Sequence, residues 1–479
     1  MNTKALRQKV LDLAIHGKLV PQNSNDESAT VLLEKFRAEK AEKIKKGELK
    51  ADKKDSFIFV GSDKRHYEQF TDGTVKDIED EIPFEVPDNW AWCRLPEIAV
   101  SIFAGGDKPT ICEKTKTNEC TIPIFSNGIE NNGLYGYTNK ANVEIPSVTI
   151  SARGTIGFTC VREEPFMPIV RLITITPNYG INLYYLKAVI DSLLVVGEGS
   201  SIPQLTVPTI KEFILPLPPE NEQKNIVEAI TAIFENIDSL NKEKYDLQTT
   251  IKNTKSKILD LAIHGKLVPQ DPNDETAEEL LKRIATSDNR PYEKVVEEPF
   301  EIPDSWKWIK LNDLAEIARG GSPRPIQDYI TEDKNGINWI KIGDTSEESK
   351  YITSAKEKIK PEGKRHSRFV HAGDFLLTNS MSFGRPYILK IDGCIHDGWL
   401  VFANIKEYLL QDYLYYALSS AYIYETFSNV AAGSTVKNLK SDTVKQVNFP
   451  LPPLPEQQRI VEAIENMYEV LDQIQNNLI

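Results

Sequence analysis

The chain has 479 residues, 40% of them hydrophobic and 27% charged, enough for two cores and too many for one. Its formal net charge of -13 excludes a uniformly basic nucleic-acid glove, while leaving room for a locally basic face. No apolar run reaches the roughly 18 residues of a membrane span and no secretory leader is legible; the five cysteines (Cys93, Cys112, Cys120, Cys160, Cys394) form no CxxC pair, so a cytoplasmic location, reduced thiols and no zinc ribbon are expected.

In chain order, Leu6, Val10 and Leu13 space an amphipathic N-terminal helix that runs into LDLAIHGKLVPQ (Leu11–Gln22). A polar turn and a short helix follow over Asn23–Phe36, with Ser28 as N-cap. The charged stretch Ala38–Asp55 reads as a solvated helix or linker. From about Pro83 to Pro218, short apolar runs such as Val148–Val161 alternate with glycine-bearing turns, then NLYYLKAVIDSLL turns helical. PLPP blocks helix just before the best-defined element, expected over about Glu222–His264. There Ile226, Ile230, Ile233, Ile237, Leu240, Lys244, Leu247, Ile251, Thr254, Ile258 and Leu261 keep a 4-3-4-3 spacing, a coiled-coil seam. Gly265 is its expected stop.

Beyond it the chain repeats itself. LDLAIHGKLVPQ returns unchanged at Leu259–Gln270, and PFEVPDNWAW (Pro83–Trp92) returns as PFEIPDSWKW (Pro299–Trp308). GSSIPQL (Gly199–Leu205) returns as GSTVKNL (Gly433–Leu439), and PLPPENEQKNIVEAI (Pro216–Ile230) as PLPPLPEQQRIVEAI (Pro450–Ile464). Thr276 is the second N-cap, a second strand-rich stretch spans about Pro299–Pro452, and a last helix carries Ile460, Ile464, Met467, Leu471 and Ile474 at heptad spacing. The stretches between the repeats diverge almost completely. The expected architecture is α+β: two mainly antiparallel β domains with helices, separated by long antiparallel coiled-coil helices, as a pseudo-twofold, cyclic tandem repeat. The expected divisions are 1–36 (N-terminal helical), 37–81 (charged linker or insertion), 82–220 (first variable domain), 221–297 (central region), 298–454 (second variable domain) and 455–479 (C-terminal helix pairing with the central one).

Catalytic readings fail. His16 and His264 close helices and read as capping or packing groups, and HGKL lacks the glycine and hydroxyl of a phosphate loop. No NPPY motif or glycine-rich cofactor loop is present, and Pro303-Asp304 followed by Glu332-Asp333-Lys334 fits a nuclease pattern only loosely, with no counterpart in the first half.

With its duplicated DLAIHGKLVPQ, duplicated PLPPxxEQxxIVEAI and two dissimilar inserts, the chain resembles the DNA specificity subunits of type I restriction–modification systems over nearly its whole length. The resemblance implies two target-recognition domains, each reading half of a split, asymmetric site in double-stranded DNA, with helices that set the gap. It implies a non-catalytic subunit without cofactor of its own. Its partners would be two modification (methyltransferase) subunits and ATP-dependent restriction subunits, which would use S-adenosylmethionine, ATP and Mg. The competing reading is a coiled-coil scaffold whose two divergent domains bind proteins.

On the DNA reading, candidate contacts lie in the loops between strands. The first domain offers Lys108 in Ala104–Pro109, Asn127 in Ser126–Tyr135, and Arg153, Gly154 and Thr155 in Ser151–Gly157. The second offers Arg319 and Arg324, Lys341, and Lys364, Arg365 and Arg368 in the basic run that starts at Lys356. Asn379, Ser380 and Arg385 follow in Thr378–Arg385. The glycines would let backbone approach phosphate, while Arg153, Asn379 and Arg385 suit base edges. Gly199–Leu205 and Gly433–Leu439 suggest a structural or docking role.

Overall fold

A computed structural model describes residues 2–48, 55–194, 205–288, 295–346, 349–379, 383–431 and 438–477. The chain divides into two units, Met1–Lys242 and Glu243–Ile479. The central helix, Glu220–Ile263, is 44 residues long and runs from one into the other. It starts two residues before the expected Glu222 and ends at the expected glycine.

In the first unit the N-terminal helix (Thr3–Ile15) lies on the central helix. Arg7 meets Asp238 at 2.5 Å and stacks 4.4 Å over Phe234, while Gln22 donates to Glu222 Oε1 at 2.6 Å. Advancing along one segment retreats along the other, so the pair is antiparallel. The second unit repeats the arrangement with the C-terminal helix, Leu454–Asn477. Lys255 pairs with Asp472 and lies 5.0 Å from the Tyr468 ring, and Gln270 donates to Glu456 Oε1 at 2.6 Å. Of the seam, Ile226, Ile230, Ile237, Ile251, Ile258, Ile460 and Ile464 are buried, and Ile233, Leu261 and Leu471 half-buried. Leu240 (50% exposed), Leu247 (38%), Met467 (42%) and Ile474 (41%) are not covered, which corrects the expectation of a continuous seam. With Arg7 opposite Asp238 and the N-terminal helix starting at Thr3, only its first turn reaches the level of Leu240.

The repeated loops lock onto these helices. Gly17 and Gly265, both at φ 65°, end their helices in the left-handed conformation. A Cβ at either would sit 2.4 Å from Pro87 or 2.3 Å from Pro303. His16 stacks on Phe84 at 3.8 Å and His264 on Phe300 at 3.9 Å, the packing role expected of both. Ser28 accepts from the Thr30 amide, and Thr276 forms a full capping box with Glu279. Each variable domain is closed by a two-stranded ladder of repeated residues, Ala91–Arg94 with Ile214–Leu217 and Lys307–Lys310 with Asn448–Leu451.

Within that closure both domains follow one strand plan. In the first, Ala99–Ala104, Ile173–Pro177, Ser147–Ile150 and Thr159–Arg162 form an antiparallel sheet in that spatial order. In the second, Glu316–Arg319, Trp399–Ala403, Phe375–Thr378 and Pro386–Leu389 do the same, extended by Tyr351–Ile352. A second sheet in each is built on a parallel pair: Met167–Pro168 beside Ile122–Phe125, and Gly393–Ile395 beside Ile337–Ile340.

The stretch 37–81 corrects the linker reading. The helix expected to end at Phe36 runs over Ala29–Lys45, and Ser56–Val60, His66–Phe70 and Val75–Asp77 form an antiparallel sheet. Alternating SFIFV and HYEQF, and the Asp72-Gly73 turn, are the signals for it. Arg94 holds this sheet to the first domain: its guanidinium donates to both oxygens of buried Glu68 (3.1 and 2.8 Å), to Glu81 (2.8 Å) and to the Glu212 carbonyl (2.6 Å). The second unit's counterpart, Lys310, makes only the last of these, to the Gln446 carbonyl. The arginine fork reaches three elements where the ammonium, which also donates to Asn448 at 2.6 Å, reaches two.

Two predictions follow from this packing. Gly17→Ala or Gly265→Ala forces a side chain into a proline at positive φ and should destabilise by more than about 1 kcal/mol, seen as a lower urea midpoint. Glu97 is buried against Arg37 (2.6 Å), and burial pushes its carboxyl up to about 7. The folded chain thus holds this proton to higher pH than the unfolded chain, whose carboxyl titrates near 4.5, so stability falls as pH rises between them. Glu97→Gln should flatten that slope, by an amount on the order of 3 kcal/mol across the window, in denaturation series at stepped pH.

Candidate nucleic-acid interface

The strand plan brings the loops that sequence singled out to one edge of each domain. In the first, Gly105 N–H donates to the Leu172 carbonyl at 2.8 Å, and Ser151 and Phe158 close the loop between two sheet strands. In the second, Gly320 donates to Trp399 at 2.9 Å, and Thr378 and Arg385 close the matching loop. Ala104–Pro109 therefore corresponds to Arg319–Arg324, Ser151–Gly157 to Thr378–Gly384, and the start of Ser126–Tyr135 to Lys341–Asp344. Each set surrounds a fourth element that sequence reading missed: the turns Ile169–Leu172 and His396–Trp399, closed by bonds of 3.1 and 3.2 Å. Asp397-Gly398 is a recognisable turn pair; Val170-Arg171 carries no turn signal.

In the first domain, Asn127 is the brace. Its Oδ1 accepts from the Ala152 amide at 2.7 Å and its Nδ2 donates to the Val170 carbonyl at 2.6 Å, which ties three loops together. Lys108 is exposed, with Nζ 5.4 Å from the Tyr135 ring. Arg153 and Gly154 are exposed, Gly154 at φ 69° with open space around it, and the Thr155 hydroxyl is buried. Arg162, 8% exposed, supports the Ser126–Tyr135 loop from below: it stacks 3.6 Å over Phe125 and donates to Thr149 (3.1 Å) and the Asn132 carbonyl (2.5 Å). Burial lowers its pKa, and among the described residues no carboxylate pairs with it.

In the second domain the hub is Asp397. Its carboxylate accepts from Ser322 (2.9 Å) and Arg324 (3.1 Å), and its carbonyl from Arg319 (2.9 Å) and Asn379 (2.9 Å). Arg368 donates to the Arg319 carbonyl at 2.8 Å. Three predicted residues thus converge on one turn, and a fourth, Arg368, braces one of them. Lys341 pairs with Glu357, Lys364 lies 3.8 Å over Phe369, and Arg365 is exposed on the helical turn Pro361–His366. Arg385 is half-buried, 5.8 Å from the Tyr387 ring. Ser380 lies outside the described residues, as do Gly199–Gln204 and most of Gly433–Leu439; Leu205 and Leu439 donate to the Ala152 and Asn379 carbonyls.

Three expectations change. Asn379 is fully buried, so it supports its loop and does not face a base, and Asn127 has both ends of its amide committed to backbone. The paired glycines serve the chain itself: a Cβ at Gly105 would meet Pro168 backbone at 2.6 Å, and one at Gly320 the His396 carbonyl at 2.2 Å. That leaves Lys108, Arg153, Arg319, Arg324, Lys364, Arg365 and Arg368 as the outward cations.

The model for the type I restriction modification DNA specificity domain matches residues 87–249 and again 303–479. The Escherichia coli EcoEI type I restriction enzyme specificity subunit is 26% identical over 99% of this chain and 90% of its own length. The EcoAI specificity subunit of the same organism is 27% identical over 66% of this chain and 63% of its own. Among solved structures, a chain reported for complex assembly and conformational transition of the type I R-M system superposes with TM-score 0.58 at 17% identity, covering 83% of this chain and 94% of that one.

If Arg153 makes a bidentate base contact, Arg153→Ala should weaken duplex binding by about 1–3 kcal/mol while Asn127→Ala lowers thermal stability as well as affinity. Fluorescence anisotropy alongside a melting curve separates the two effects.

Proposed function

The chain belongs to the type I restriction–modification DNA specificity family, and on that premise we propose that it recognises a bipartite, asymmetric DNA target and confers that specificity on restriction and adenine-methylation subunits. The observation that carries the proposal is the pair of loop clusters. One strand plan presents different side chains in its two copies, as two readers of different words require. The recognition domains are taken as 82–220 and 298–454, with 1–36, 221–297 and 455–479 as the shared helical parts and 37–81 as an addition to the first domain.

The long central helix, about 65 Å at 1.5 Å per residue, is the ruler that sets the unread gap. Arg7 with Asp238 and Lys255 with Asp472 are equivalent pairs of the tandem repeat, one within each unit. Two modification subunits would dock on the helices, where Leu247, Met467 and Ile474 of the seam and Tyr245 and Val470 beside it are exposed. Restriction subunits assemble with them. Catalysis, with S-adenosylmethionine, ATP and Mg, belongs to those partners, and this subunit contributes none. Among the described residues no helix is long and apolar enough to cross a membrane.

The test is methylome sequencing of a restriction-free host expressing this chain with its modification subunit, against a host lacking this chain. Two short unequal methylated words around a fixed gap are expected; no new motif from a soluble, associated pair would overturn the proposal. Inserting one or two helical turns near Asn241–Asp246 should lengthen the gap and leave both words unchanged. An unchanged gap would show that the helix is not the ruler.

A further inference from the structure

The turn Ile169–Leu172 is enclosed by the other three loops of the first domain. Val170 N–H donates to the Gly106 carbonyl at 2.8 Å and Arg171 N–H to Gly105 at 2.9 Å, while the Val170 carbonyl accepts from Asn127 at 2.6 Å. Its backbone is therefore held by two of these loops, and what remains to face solvent is two side chains. Val170 is 49% exposed, and Arg171 is exposed with no partner among the described residues. Both sit at positive φ, 53° and 61°, a conformation that glycine or asparagine adopts far more readily and that is an outlier for a β-branched residue. Neither side chain contributes to the core, so the fold gives no reason for a valine and an arginine here.

The equivalent turn of the second domain carries Asp397-Gly398, whose carboxylate is an acceptor already held by Ser322 and Arg324. The two turns thus present different chemistry: a branched apolar group followed by a forked donor (Val170, Arg171) in one domain, and an acceptor followed by a glycine (Asp397, Gly398) in the other. A guanidinium matches the paired O6 and N7 acceptors of guanine in the major groove, and an aliphatic side chain matches the thymine methyl.

We propose that the Ile169–Leu172 turn is a base-reading element of the first domain, with Arg171 reading a guanine and Val170 packing on a neighbouring base edge. The inference rests on the DNA-recognition reading above and adds to it the residues and the base.

The test uses Arg171→Gly, which removes the side chain and relieves the left-handed backbone, so folding is retained or improved; the unfolding midpoint checks this. Expressed with its modification subunit, the variant should methylate a motif relaxed at one G·C position of one half-site, the other half-site unchanged. Affinity for a duplex bearing the wild-type motif should fall about 10- to 100-fold. Arg171→Lys, which keeps the charge without the fork, should show the same relaxation. An unchanged motif in Arg171→Gly overturns the proposal. So does a near-wild-type Arg171→Lys, or an equal loss on cognate and unrelated duplexes, either of which marks a phosphate contact. A wild-type chain that yields no bipartite motif fails the DNA-recognition reading itself and takes this inference with it.

Discussion

Two buried carboxylates organise everything else. Glu222 and Glu456 each stand in the first turns of a long helix, 1% exposed. Glu222 accepts from the Trp90 indole at 3.0 Å and from Gln22 at 2.6 Å; Glu456 accepts from Trp306 at 2.9 Å and from Gln270 at 2.6 Å. Burial raises both pKa values, and the two donated hydrogen bonds and the helix N-terminus offset that cost. Beside each lies a glutamine with the same logic. Gln223 receives the Asn182 amide and donates to the Pro218 carbonyl, and Gln457 receives the Leu410 amide and donates to the Pro452 carbonyl. Each cluster joins a turn after the HGK loop, a PDxW loop, a PLPPxxEQ helix start and the helix that follows the sheet of the variable domain, Leu183–Leu193 or Gln411–Leu418. A change in any one strands a buried polar group in another, which explains why these motifs recur together in both halves.

What the clusters leave free is what lies between. The two variable domains share strand order, a parallel pair and four equivalent loops, all held largely by backbone hydrogen bonds that ask little of side-chain identity. The loops are then braced by different chemistry: an amide and a buried arginine in one domain, an aspartate hub in the other. A scaffold that does not depend on its loop side chains can change what those loops read without refolding.

That division also decides what the sequence could reveal. The helices were legible because heptad spacing, caps and PLPP stops are local signals, and the repeat itself showed which segments must occupy equivalent places. The antiparallel pairing of the terminal segments on the central helix follows from the order of the repeats. The sheet at Ser56–Asp77 was hidden by its exposure: two of its three strands are edges, and only Ile58 and Glu68 are buried. In the loops, composition pointed to the right segments but not to roles. Asn379 and Arg153 occupy neighbouring places in equivalent loops, yet one is buried and the other exposed. The Val170-Arg171 turn had no signal, since its backbone is held by the Gly105-Gly106 and Asn127 loops rather than by its own residues.

The acidic balance of the chain fits this arrangement. A net charge of -13 repels a polyanion at long range, so duplex can be held only where cations are locally concentrated and geometrically fixed. On the proposed reading, Lys108 and Arg153 in the first loop cluster, and Arg319, Arg324, Arg365 and Arg368 around the second, would supply such places. Non-specific binding draws on counterion release from phosphate contacts spread over a surface, and an acidic surface suppresses it. Base contacts within the clusters would add to specific binding alone. Because specificity is the ratio of the two, lowering the non-specific term raises discrimination as effectively as adding a base contact. The acidity that argued against a DNA-binding protein by composition is, on this architecture, part of how two small loop clusters would single out a short split site among many others.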